Sequence, residues 1–148
     1  MLPDVQADLR LADLILFKLD AVNPDIFEAI NGPCESTLPQ QIIEGIESFK
    51  LTYEGKLALQ MMFTEANKGE AQALADAARE IGPDEIQLNT PLRPSPERPL
   101  TPQEMEDIES FFAGLPVRSV YKEKQDEYQP FDDEATEKRH GKFQDQGR

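Results

Sequence analysis

Polar residues stand in or just after three apolar runs of the sequence, and they are the first candidates for chemistry. The runs are "LILFKL" at 14–19, "LALQMMF" at 57–63 and "IQL" at 86–88. If the runs are parallel strands, ligands are expected at their carboxyl ends. The polar residues there are Lys18, Asp20, Gln60, Thr64, Glu65, Asn89 and Thr90.

Two of these positions allow a structural interpretation as well as a functional one. A charge at Lys18 costs free energy near the end of an apolar strand unless it is paired or reaches a cavity. Asp20 follows two residues later and therefore lies on the same face of the strand. The two residues could contact a ligand or form a structural ion pair. Asn89 could likewise bind a ligand or only hold the following loop.

The remaining reactive residue types do not form a recognisable motif. The chain has one cysteine, Cys34, so no internal disulfide is possible, and no second cysteine or histidine lies near it in sequence. His140 stands in a charged carboxyl-terminal segment and is interpreted as a solvated histidine. The sequence contains no glycine-rich phosphate loop, nucleophile elbow or histidine-rich metal motif.

Charge and hydropathy restrict the partners of this chain. The 148 residues carry a net charge of -14, which argues against direct binding to nucleic acid or an anionic membrane. No secretory signal opens the sequence, and the longest apolar run is too short to span a bilayer. These features predict a cytoplasmic protein.

Helical segments separate the three apolar runs. Asn23 and Pro24 are typical of a helix start, Thr37 with Gln40 indicates a capping box, and Gly82 indicates a helix end. Apolar strands that alternate with amphipathic helices predict an α/β fold with a parallel sheet. We expect a partial (β/α) barrel of about three parallel strands with flanking helices.

The domain organisation is predicted from composition. Residues 1–92 form the partial barrel, and residues 93–121 form a proline-rich strut, a helix capped by Thr101 with Glu104, and a short edge strand in "VRSVY". Residues 122–148 are charged and poor in aliphatic side chains, so an extended or disordered tail is expected there.

Three stretches, "ADLILFKLDAVNPDIFEAING", "IIEGIESFKLTYEGKLALQMMF" and "EIGPDEIQLNTPLRP", resemble the carboxyl-terminal half of radical S-adenosylmethionine iron–sulfur oxidoreductases related to wyosine-type tRNA-modifying enzymes. The resemblance implies the fourth to sixth strands of a partial (β/α)6 barrel. It also implies cofactor contacts by Lys18, Asp20, Gln60, Asn89 and Thr90. In the full-length family, the cofactors are S-adenosylmethionine and a [4Fe–4S] cluster.

The chain departs from that family because it lacks the CxxxCxxC cluster motif and the Gly-Gly-Glu segment. One cysteine cannot supply three thiolate ligands, so this chain alone is expected to bind no metal or cofactor and to be inactive. The expected partner is an amino-terminal half-barrel chain, or a second copy through the sheet edges. The alternative is a non-catalytic acidic protein-interaction module built on a half-barrel.

The same interpretation predicts an exposed inner face of the sheet. Phe17, Leu59, Met61 and Leu88 are expected to line this face, where strands of the missing half would cover them. An isolated chain would then be marginally stable or self-associating.

Overall fold

The computed structural model describes residues 3–33, 37–92 and 97–122. Its centre is a four-stranded sheet in the order β1-β2-β3-β4, in which every neighbouring pair is parallel. The strands are Leu14–Lys18 (β1), Lys56–Met62 (β2), Glu85–Asn89 (β3) and Val117–Ser119 (β4). The α/β class and the open parallel sheet of a partial barrel are therefore confirmed.

Five α-helices alternate with these strands. They span Pro3–Leu9 (α1), Pro24–Asn31 (α2), Pro39–Lys50 (α3), Ala71–Ile81 (α4) and Pro102–Phe111 (α5), with a single 3₁₀ turn at Lys68–Glu70 before α4. The short "VRSVY" segment is the fourth strand, parallel to β3, so the sheet has four strands instead of about three.

Helix ends follow local sequence signals in most cases. The Asn23 side chain accepts hydrogen bonds from the first turn of α2, and Thr101 and Glu104 form a reciprocal capping box at α5. Gly82 ends α4 with φ of 61°, a conformation that favours glycine. The predicted Thr37–Gln40 box at α3 is wrong by one residue. Pro39 is the first helical residue, so Leu38 is the cap.

The two faces of the sheet differ because side chains alternate along each strand. Ile15, Leu57, Leu59, Met61, Ile86 and Leu88 are buried on one face, together with apolar residues of α3, α4 and α5. Leu74, Ile46 and Ile108 are examples from these helices. This face forms the core of the protein.

The prediction that Phe17, Leu59, Met61 and Leu88 line an exposed inner face is wrong. Leu59, Met61 and Leu88 are fully buried, and the Phe17 ring packs edge-on against Phe49 of α3 at 5.8 Å. The uncovered face carries the residues of opposite parity. The strands are apolar at both parities in places, so the sequence alone did not show which set the helices cover.

Some predictions fall on residues outside the described ranges. These are the interpretations of Cys34 and His140, the extended tail from residue 123 onward, and the beginning of the proline-rich strut at residues 93–96. The boundaries at residues 92 and 121 stay predictions.

Candidate functional site

A row of polar side chains crosses the uncovered face of the sheet from edge to edge. The strand register places Lys18 beside Gln60, Gln60 beside Gln87, and Gln87 beside Arg118. We call these four residues the polar row. Each of the four comes from a different strand, and Gln87 and Arg118 were not predicted as site residues.

Hydrogen bonds and an ion pair link the members of the polar row on β2, β3 and β4. Gln60 Nε2 donates to Gln87 Oε1 at 3.4 Å, and Gln87 Nε2 donates to Glu85 Oε1 at 2.8 Å. Glu85 Oε2 in turn pairs with Arg118 Nε at 3.1 Å. Each side-chain amide in this series of bonds therefore donates toward Glu85.

Asp20 holds the carboxyl ends of β1 and β2 together. The residue is 1% exposed, and its carboxylate accepts from Met62 N at 2.9 Å and from Asn31 Nδ2 at 3.2 Å. Lys18, whose side chain is half exposed, forms an ion pair with the same carboxylate. The structural interpretation of the Lys18–Asp20 pair is therefore realised in the fold, and strand parity assigns Lys18 to the uncovered face.

Asn67 is a second buried polar anchor at this edge, and the sequence did not reveal it. Its Nδ2 donates to Asp20 O and Met62 O, each at 2.8 Å, and its Oδ1 accepts from Thr64 N at 2.7 Å. Glu70 adds a carboxylate that accepts from the Val22 and Asn23 amides. These bonds join groups up to 48 residues apart, so no local signal could identify them.

Asn89 and Thr90 end β3 with different surroundings. Asn89 is partly buried beside Met62, and its side chain donates no hydrogen bond to the described part of the chain. Thr90 is 3% exposed, and its hydroxyl accepts from Leu100 N at 2.8 Å. Thr90 therefore anchors the far end of the proline-containing connection to the end of the strand.

Four charged residues form a compact cluster beside this edge: Glu65, Lys68, Arg98 and Glu104. Lys68 pairs with Glu65 at 2.9 Å and with Glu104 at 3.0 Å, and Arg98 binds both Glu104 oxygens at 3.0 Å. Arg98 also contacts Glu65. The hydrogen bonds from Arg98, from the Thr101 backbone and from Lys68 hold the pKa of Glu104 far below its ordinary value.

Other concave regions of the described chain lie apart from the predicted site residues. An open cavity of about 600 Å³ lies at the amino-terminal end of the sheet and is bordered by Lys56, Glu85 and Arg118. Another, of about 570 Å³, separates α3 from α4. Arg118 of the polar row borders the first of these and a smaller cavity of about 320 Å³ next to β4. The described residues contain no group of three or more His, Cys, Asp or Glu side chains that could hold a metal ion.

Comparison with known proteins finds relatives among proteins named UPF0026. The chain is 32% identical to a UPF0026 protein of Methanocaldococcus jannaschii, covering 74% of this chain and 35% of that protein. It is 36% identical to one of Synechocystis, over 62% of this chain and 35% of that protein. A GTPase Obg of Brachyspira hyodysenteriae is 27% identical, over 74% of this chain and 17% of its own length.

The chain thus spans about a third of the length of the UPF0026 proteins it matches. No protein-family profile matches it. Among the described residues, no helix has the length and apolar content needed to cross a membrane.

These relatives correct the identification made from the sequence. The similar proteins are named UPF0026 or GTPase Obg, and none points to radical S-adenosylmethionine enzymes. The assignment to the carboxyl-terminal half of a radical iron–sulfur enzyme is therefore wrong. Its alternative, an acidic protein-interaction module, has no support among the relatives either, and neither interpretation is retained.

Proposed function

We propose that the uncovered face of the sheet is one wall of a binding site for a small polar molecule. The observation that carries the proposal is the polar row, which lies on a face of a parallel sheet that no described helix covers. Parallel sheets are usually covered on both faces, and a helix-covered face is apolar. A polar face is suited to hydrogen-bonding groups of a ligand instead of a second helical layer.

The side chains on this wall indicate the chemistry of the ligand. Gln60 and Gln87 offer amide donors and acceptors, and Asn89 adds a third amide toward the carboxyl end of β3. Such amides pair with groups that present a donor beside an acceptor. Lys18 adds a half-exposed ammonium that pairs with Asp20 and can also contact an anionic group, so we propose that the ligand carries such a group.

The five residues predicted from the sequence divide into two roles under this proposal. Lys18, Gln60 and Asn89 contact the ligand directly. Asp20 and Thr90 act as supports, because their polar groups already bond to Met62 N, Asn31 Nδ2 and Leu100 N. Supports of this kind hold contact residues in one geometry, which lowers the cost of ordering them on binding.

A fragment screen by NMR tests the proposal without assuming the ligand. The ¹⁵N-labelled chain is mixed with a library of small polar fragments, and the side-chain amide signals of Gln60, Gln87 and Asn89 are followed. We expect saturable shifts at these amides, strongest for anionic fragments with adjacent donor and acceptor groups. The exposed helical amides Gln72 and Gln103 serve as internal controls.

Two substitutions then distinguish a specific binding site from non-specific binding to the protein surface. Gln87→Leu keeps the side-chain volume but removes the amide, and it should weaken binding of the best fragment at least tenfold. Gln103→Leu makes the same change on α5 and should leave binding unchanged. Fragment shifts confined to the groove between α3 and α4, or equal losses in the two variants, would contradict the proposal.

A further inference from the structure

The two edges of the sheet differ in how their outward backbone groups are used. Lys56 N donates to Asp13 O and Leu19 N donates to Gln60 O, so the odd-numbered residues of β1 face β2. In a parallel ladder, alternate residues direct both backbone groups to the same side. Leu14, Leu16 and Lys18 therefore direct their amides and carbonyls away from the sheet, and these groups make no hydrogen bond to the described residues.

At the β4 edge, two of the outward backbone groups are bonded within the chain. Ile86 N donates to Pro116 O and Val120 N donates to Leu88 O, so Val117 and Ser119 face outward. Val117 N already donates to Leu115 O at 2.9 Å, and Ser119 O accepts from Lys122 N at 3.0 Å. This strand is only three residues long and follows a proline. Both features protect a sheet edge from further pairing.

Apolar exposure is concentrated at the β1 edge. Leu14 and Leu16 are 55% and 40% exposed, and both side chains lie on the uncovered face beside the free backbone groups. A neighbouring strand would satisfy the backbone and cover these two leucines in one step. The β1 edge thus has the two properties of a pairing edge, unpaired backbone groups and adjacent apolar side chains.

The topology indicates what kind of strand fits there. The spatial order of the strands equals their order along the chain, and all pairs are parallel. With crossovers of one hand, each successive strand is added on the same side of the sheet. If the same order extended beyond β1, the adjoining strand would be parallel to β1 and would pair with it. The UPF0026 relatives are almost three times as long as the matched region, so they are long enough to contain further strand–helix units.

We propose that the free edge of β1 pairs with a parallel strand from a separate α/β segment, and that the unmatched part of the longer UPF0026 relatives supplies such a segment. Such a strand presents apolar side chains opposite Leu14 and Leu16 and a hydrogen-bond acceptor near Lys18. The pairing extends the sheet beyond β1 in the same order. It involves the strand edge and is independent of any small molecule on the uncovered face.

Co-production tests this pairing. The full chain, carrying an affinity tag, is produced in the same cells as the part of the Methanocaldococcus jannaschii relative that lies outside the match. We expect a one-to-one complex by size-exclusion chromatography with light scattering. Hydrogen exchange should show new protection at the Leu14, Leu16 and Lys18 amides in the complex.

Two substitutions of one residue identify the contact. Leu16→Pro removes an outward amide that makes no bond within the chain, so the fold should be retained, as circular dichroism would verify. Affinity should fall at least tenfold. Leu16→Ala keeps the amide and should weaken the complex by less than Leu16→Pro does.

Three results would overturn the proposal. One is the absence of a complex, and another is a complex that Leu16→Pro leaves intact. The third is a symmetric dimer of this chain through β1 in place of the one-to-one complex. All measurements are made without small-molecule fragments, so a failure here is distinct from a failure of the proposed ligand site.

Discussion

Leu59 and Gln60 are neighbours on β2, yet they belong to opposite faces of the sheet with different physical demands. Leu59 is fully buried between the sheet and its helices, whereas Gln60 lies in the polar row on the uncovered face. The helix-covered face is selected for volume and shape, because close packing there supplies most of the stability. The uncovered face is selected for hydrogen-bonding groups, which contribute little to stability and are available for recognition.

The largest expected effect comes from removing volume on the covered face. Leu59→Ala should lower the free energy of unfolding by about 2–5 kcal/mol, because lost apolar burial and a residual cavity both destabilise the fold. Gln60→Ala is the matched control one residue away and should change it by less than about 0.5 kcal/mol. Urea unfolding followed by circular dichroism measures both. Equal losses would mean that the two faces do not differ as described.

An intermediate effect is expected where the two faces meet at the carboxyl edge. Asp20→Ala leaves Met62 N and Asn31 Nδ2 without their acceptor, and it should cost about 1–3 kcal/mol of unfolding free energy. Lys18→Met removes the half-exposed partner but leaves the Asp20 carboxylate its Met62 N and Asn31 Nδ2 donors, so it should cost less than Asp20→Ala does. The same unfolding assay distinguishes them. A larger loss for Lys18→Met would show that the ion pair, not the backbone anchor, holds this edge.

The smallest effect concerns the charged cluster outside the sheet and depends on pH. The pKa of Glu104 is lowered mainly by Arg98, so the folded state holds the carboxylate more strongly than the unfolded state does. The Glu104 carboxylate therefore contributes to stability above its ordinary pKa of 4.5, and this contribution is lost as the pH falls below 4.5. The melting temperature of the wild type should therefore exceed that of Glu104→Gln at pH 7, with a gap that narrows toward pH 3.

Glu80→Gln is the control for this measurement, because it changes the net charge equally on α4, away from the cluster. At pH 7, the melting temperature of Glu80→Gln should differ from that of the wild type by less than the melting temperature of Glu104→Gln does. A gap for Glu104→Gln that widens on acidification would contradict the assignment of the lowered pKa.

The sequence was sufficient for the elements but not for their orientation. Asn23, Gly82 and the Thr101–Glu104 pair are local signals, so the start of α2, the end of α4 and the start of α5 were predicted. The run "LALQMMF" is apolar at both parities apart from Gln60, so hydropathy could not tell which face the helices cover. Asn67 contacts Asp20 from 47 residues away, and such a role depends on the assembled fold. Among the candidate site residues, Gln60 and Asn89 were singled out because they are polar within or at the end of apolar strands.

The matching order of strands in sequence and in space also has a consequence for how the chain folds. Each strand pairs with the strand that comes next along the chain, so no strand must wait for a distant partner before it can be placed. The entropy lost in closing each connection grows only slowly with its length, and every closure is followed directly by ladder and core contacts. Assembly can therefore proceed by accretion, one strand–helix unit at a time. The growing edge at each stage resembles the one that β1 retains in the finished fold.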